Sequence, residues 1–94
     1  MQTIKLSEDV VTKLERLQYE VDARRGLIEF LLAKNYDLNS GSFKTYHDEY
    51  INKHVEFEQY KDFITKTFVA PNVSPDVLAE TTWNVDFATQ ELTF

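Results

Sequence analysis

The chain has 94 residues, 43% of them apolar and 28% charged, with a net charge of −6 and no cysteine. That length suits one small domain with a modest core, and the apolar fraction excludes disorder throughout. The missing cysteine excludes disulfide staples and thiolate metal sites.

Seven Phe, five Tyr and one Trp stand against two Gly and two Pro, a balance that favours long elements with few tight turns. The charge is uneven. Residues 1–36 carry six basic and six acidic side chains, whereas 37–94 carry four basic and ten acidic. An acidic second half repels phosphate along its length. The opening MQTIKLSEDVV lacks the apolar centre of a signal peptide, and no run reaches the length of a bilayer span. A soluble cytoplasmic or virion-associated protein with no membrane partner is expected.

In chain order, TIKL reads as a short strand or an extended lead-in. Ser7 then sits where a helix N-cap belongs, with Glu8 and Asp9 in the first turn, where carboxylates favour the helix dipole. Leu6 before the cap and Val11 after it have the spacing of a hydrophobic staple. Val10, Leu14, Leu17, Val21, Ile28 and Leu31 recur at steps near three and four and make one apolar stripe. Arg24 interrupts the stripe and Gly26 follows it. An interior glycine costs about 1 kcal/mol relative to alanine, so DARRG either breaks the helix or marks a close backbone approach. Continuous helix to Lys34 is the reading adopted.

NYDLNSGS is a loop by composition, and Ser42 is a candidate cap for the next helix. That helix, Phe43 to Phe68, repeats Phe43, Tyr50, Phe57 and Ile64 every seven residues. Tyr46 and Tyr60 fill the intervening core slots, with Lys53 and Thr67 at the others. Sustained seven-residue spacing predicts a helix packed along another helix. The fold class expected is therefore mainly α: an antiparallel helical hairpin over 1–70, with a tail over 71–94, in a single domain. Leu27, Phe30, Ile51, Val55 and Phe63 fall off the two stripes and are left for a second copy of the chain to cover.

Pro71 ends the second helix, and Ser74-Pro75-Asp76 has the order of an N-cap and first turn for a short helical segment. The tail that follows alternates Trp83, Val85 and Phe87 like a strand, with Leu92 and Phe94 on a return strand. No glycine or Asn-Gly supports a tight hairpin there. A lone strand or ribbon is marginal in water, and residues 2–6 are too short to complete a sheet. The tail then exchanges with another copy, adds to another protein's sheet, or orders only on binding. In the alternative reading it lies across the hairpin as a plug.

Chemistry is sparse. His47 and His54 lie seven apart, about 10.5 Å along a helix, too far to share a metal, and His54 with Glu58 supplies two ligands where zinc needs three or four. Asp48, Glu49, Glu56 and Glu58 read as a solvated face. No serine or threonine stands in a nucleophile elbow, and NSGS is too short to cradle phosphate. No enzyme activity, cofactor or metal is expected.

TIKLSEDVVTKLERL resembles the opening of ribbon-helix-helix DNA-binding proteins: a short strand, a Ser-capped helix and an apolar stripe. The resemblance covers about a third of the chain. It implies that RRGLIEFLLAKN is a second helix and that two chains pair their strands. It also implies that Thr3 and Lys5, with Gln2, read the major groove while Ile4 and Leu6 turn inward. Arg24 and Arg25 would join Thr3 and Lys5 in a nucleic-acid contact. The acidic C-terminal segment would be the toxin-binding arm of an antitoxin. The chain departs from that pattern in having no turn glycine in EVDARRG and a neutral first third where a phosphate binder is basic.

The function expected is a non-enzymatic, self-associating interaction module whose tail docks on a partner chain, as in an assembly component of a virion or other particle. The carrier alternative gives the tail to a partner enzyme as its substrate. The partner-binding residues are Phe43, Tyr46, Tyr50, Phe57, Tyr60 and Ile64 in the helical seam, and Trp83, Val85, Phe87, Leu92 and Phe94 in the tail.

Overall fold

Ser7 starts the first helix as its position predicts. In the computed structural model, which describes residues 2–34 and 40–94, helix α1 runs Glu8–Ala33. Ser7 Oγ accepts the Val10 N–H at 3.4 Å and the Ser7 carbonyl accepts the Val11 N–H at 3.2 Å. Leu6 and Val11, the staple pair, are both buried. Along the stripe Leu14, Leu17, Val21 and Leu31 are buried, with Val10 and Ile28 half-buried.

Gly26 neither breaks α1 nor receives another backbone. The helix passes through it, and a Cβ placed there meets nothing within 4 Å. The stripe keeps its register on both sides, from Leu17 and Val21 to Ile28 and Leu31, so packing holds the helix together where propensity is weakest. This corrects the two-helix arrangement implied by the ribbon-helix-helix resemblance, because RRGLIEFLLA continues the first helix. Gly26→Ala is expected to stabilise the fold by about 1 kcal/mol. Urea unfolding at high dilution checks this, and a midpoint that stays put or falls would contradict it.

Most of NYDLNSGS lies outside the described residues, but its end does not. Helix α2 runs Gly41–Ile64, and its cap is Ser40 rather than Ser42, with Ser40 Oγ accepting the Phe43 N–H at 3.1 Å. The cap sits two residues early because Gly41 and Ser42 already take up the first turn. Helices α1 and α2 pack against each other as a hairpin. No described helix is long and apolar enough to cross a membrane.

The seven-residue pattern holds to Ile64 and then slips. Thr65–Val69 form a π turn, in which the Ala70 N–H reaches back to the Thr65 carbonyl. Residues Ala70–Asn72 close it as a 3-10 turn with Pro71 in its first turn. A π turn inserts one residue into the helical register. Thr67, the next core slot by counting, is therefore exposed, while Phe68 is half-buried and Val69 fully buried. Ser74 caps helix α3, Pro75–Leu78, its hydroxyl accepting the Asp76 N–H at 3.4 Å.

The tail finds its sheet inside the chain. Strands β1 (Thr3–Lys5), β2 (Asn84–Asp86) and β3 (Glu91–Thr93) form an antiparallel sheet in the order β1-β3-β2. The register sets Ile4 and Val85 on either side of Leu92, so three apolar side chains form one row, and Leu92 at its centre is fully buried. The expectation that residues 2–6 are too short to serve is corrected. Three residues suffice because the ladder extends beyond them. Gln2 and Phe94 exchange hydrogen bonds at 2.6 and 3.0 Å, and the Leu6 N–H donates to the Gln90 carbonyl at 2.9 Å. Lys5 Nζ donates to the Thr89 carbonyl and Gln2 Nε2 to the Asn72 carbonyl.

The hairpin between β2 and β3 forms without glycine. Asp86 Oδ1 accepts the N–H groups of Ala88 and Thr89 at 2.9 and 3.2 Å, and the Asp86 carbonyl accepts the Gln90 N–H at 2.8 Å. Gln90 takes the left-handed conformation, φ 60°, that glycine would adopt at lower cost. An Asx side chain that organises the turn from within replaces the Asn-Gly signal.

Two compact units result: Met1–Glu15 with Gln59–Phe94, and Arg16–Glu58. In the first, the sheet packs with the start of α1 and the end of α2 around Leu6, Val11, Leu14, Ile64, Val69 and Leu92. The tail is thus part of a core. The second unit is the remainder of the helical pair, with Leu17, Val21 and Leu31 buried.

Candidate functional site

The aromatic seam closes the hairpin on itself. Phe43, Tyr46, Tyr50, Phe57 and Tyr60 are half-buried and Ile64 is fully buried. Within unit Arg16–Glu58, the Phe43 and His47 rings stack at 6.3 Å and those of Tyr50 and His54 at 5.9 Å. Each pair sits one turn apart on α2, so both histidines line the seam's edge. In the other unit, Tyr60 lies against α1: its hydroxyl donates to the Val10 carbonyl at 3.4 Å, and Lys13 Nζ stands 4.8 Å above its ring. Burial raises the Tyr60 pKa, and nearby Asp9 adds to the shift.

Lys53, the charged member of the α2 seam, meets Glu20 at 3.1 Å and Glu56 at 3.3 Å. Its hydrogen bond to Glu20 raises its pKa, and the Glu56 bond acts the same way. Arg24, the interruption in the α1 stripe, is half-buried and donates to the Glu20 carbonyl at 3.3 Å. The Lys53 ammonium therefore reaches across to the Glu20 carboxylate on α1, while Arg24 folds back on its own helix.

Beside this cluster a groove of about 520 Å³ opens, lined by Ile28, Leu32, Phe43, Tyr50, Arg25, Glu29 and His47. It is mostly apolar. The Arg25 guanidinium bonds to Tyr50, which raises its pKa, and it also lies 3.8 Å from Asp22. Among the described residues no three His, Asp or Glu gather as a metal site.

The tail residues divide by role. Leu92 is core, Trp83, Val85, Phe87 and Phe94 are half-buried, and Asn84 and Asp86 between them are exposed. The Trp83 indole N–H donates to Thr65 Oγ1 at 2.8 Å, and that hydroxyl donates to the Lys61 carbonyl at 3.0 Å. In an antiparallel ladder, alternate residues direct their backbone groups to opposite sides. Asn84 and Asp86 bond to β3, so the N–H and C=O of Val85 point outward from the sheet. Thr3 and Lys5 do the same at the opposite edge. Of the residues offered for nucleic acid, Lys5, Arg24 and Arg25 thus have donors engaged within the chain, and Thr3 is exposed.

The apolar side chains that remain outside are on the helices' outer faces. Leu27 is 39% exposed, Phe30 57%, Ile51 42%, Val55 46% and Phe63 47%, the same five that fall off the stripes in the sequence. Tyr19, Leu32 and Val77 are exposed as well, Leu32 within the groove and Val77 on α3, and the two apolar stripes do not mark them out. Tyr19 was legible nonetheless, since it stands eleven residues before Phe30 on the face of α1 turned from the seam. Comparison of the chain with protein-family models, curated proteins and solved structures finds no match in any of the three.

Proposed function

We propose that this chain is a non-enzymatic interaction module, a helical hairpin that self-associates through its outer helical faces and offers a sheet edge to a partner protein. The observation that carries this reading is the exposure of Leu27, Phe30, Ile51 and Val55 on helices whose seams are already filled. Each such side chain is already about half covered, so covering the rest recovers roughly half of the about 1.5–3 kcal/mol that full burial gives, and faces of them favour association. The seam residues named from the sequence serve this function from within, by holding the faces rigid. The outward backbone of Val85, between half-buried Trp83 and Phe87, is where an extended segment of another protein would add a strand. A structural role in a multi-subunit assembly uses both surfaces.

Sedimentation equilibrium on the full chain tests the proposal. Average mass is expected to rise from one copy toward two between micromolar and millimolar concentration. A mass that stays at 11.1 kDa throughout would remove self-association.

A further inference from the structure

Glu20, Leu27 and Lys34 stand seven residues apart and so share one line along α1 and its end, about 21 Å long at 1.5 Å per residue. The line reads acid, apolar, base. Turned end for end it reads base, apolar, acid, which is what a surface needs to meet its own copy across a two-fold axis. Ala23 and Phe30 flank Leu27, one turn before and one turn after it. An axis through Leu27 therefore sets the large Phe30 of each copy against the small Ala23 of the other. All three are exposed, Leu27 at 39% and Phe30 at 57%. The Lys34 ammonium stands 5.8 Å above its own Phe30 ring, and among the described residues no carboxylate pairs with it. Glu20 is held by Lys53 at 3.1 Å with 27% of its side chain still exposed.

The exposed pair on α2 is mixed. At the same seven-residue spacing Ile51 lies between Lys44 and Glu58, base and acid, whereas Val55 lies between Asp48 and Asp62, acid at both ends. Two copies meeting at Val55 would set carboxylate against carboxylate.

We infer that the chain forms a two-fold dimer through the Ala23–Leu27–Phe30 face of α1. Leu27 meets Leu27 at the axis, Phe30 covers the other copy's Ala23, and Lys34 pairs with the other copy's Glu20. The inference rests on the self-association reading and names its surface.

The chain has no cysteine of its own, so Leu27→Cys introduces a single thiol. At the axis, two such residues come within the roughly 3.5–4.5 Å Cβ separation a disulfide needs. Under mild oxidation of the dilute chain, Leu27→Cys is expected to form a covalent dimer roughly tenfold faster than Val55→Cys, because pairing raises the local thiol concentration. Equal rates, or a faster Val55→Cys, would overturn the assignment. In a second arm, Lys34→Glu places acid opposite Glu20 at both ends of the dimer. It is expected to raise the dimer dissociation constant roughly tenfold with helicity unchanged by circular dichroism. A wild-type dimer indifferent to Lys34→Glu would leave self-association standing and remove this face. A wild-type chain that stays monomeric to millimolar concentration would remove both.

Discussion

Leu92→Ala is expected to destabilise the chain by about 3 kcal/mol, within the range for deleting a buried leucine side chain. Leu92 is fully buried at the centre of the only apolar row on the sheet among the described residues, between Ile4 and Val85. Both neighbours belong to strands of three residues. Such short strands can shift partway into the gap, so the cost stays in the lower part of the range. A domain of this size holds only about 5–15 kcal/mol in all, so a loss of this order removes a large share. Chemical denaturation of the two proteins side by side measures it. A difference under about 1 kcal/mol would mean that the row is not the keystone the packing makes it.

Removing residues 81–94 is expected to do more than disarm a binding tail. It takes away Leu92, the Trp83 bond to Thr65 and the only described partners of β1. Native-state hydrogen exchange is the direct readout. Amides of Val11–Glu15 and Gln59–Val69 are expected to open roughly a hundredfold more often, while those of Leu17–Leu31 keep most of their protection. Protection lost evenly over both helices would show that the two compact units are one cooperative body. Protection lost nowhere would show that the tail contributes nothing to the fold.

The helical hairpin was legible because its signals are local and redundant. Ser7 caps at the position its spacing predicts, and the α2 aromatics repeat for three full heptads up to Ile64. Beyond Ile64 the counting fails for a reason that spacing does not carry. A single π turn ahead of Pro71 shifts the core slot from Thr67 to Phe68 and Val69, and nothing in TKTFVAP distinguishes it from ordinary helix.

The sheet was half legible. Alternation marks Trp83, Val85 and Phe87 as a strand, but no glycine marks the turn after them. Asp86 and a left-handed Gln90 make that turn instead. The pairing of β3 with β1 joins opposite ends of the sequence, and pairing at such a distance leaves no periodic trace. For the candidate surfaces the division is sharper. The off-stripe residues Leu27, Phe30, Ile51, Val55 and Phe63 are all exposed, as leftover hydrophobicity predicts. The seam residues Phe43, Tyr46, Tyr50, Phe57 and Tyr60 are half-buried and Ile64 is buried, and a heptad stripe by itself does not say whether its other half comes from the same chain.

The strand order has one more consequence, in time rather than in space. During synthesis β1 is made well before the strand beside it, and the Lys5–Thr89 contact alone spans 84 positions. Since β3 lies between the other two, neither outer strand has a neighbour until it emerges. β1 must therefore wait unpaired until β3 has been made, and slowing translation of the codons between them is expected to lengthen its exposure to proteases and chaperones.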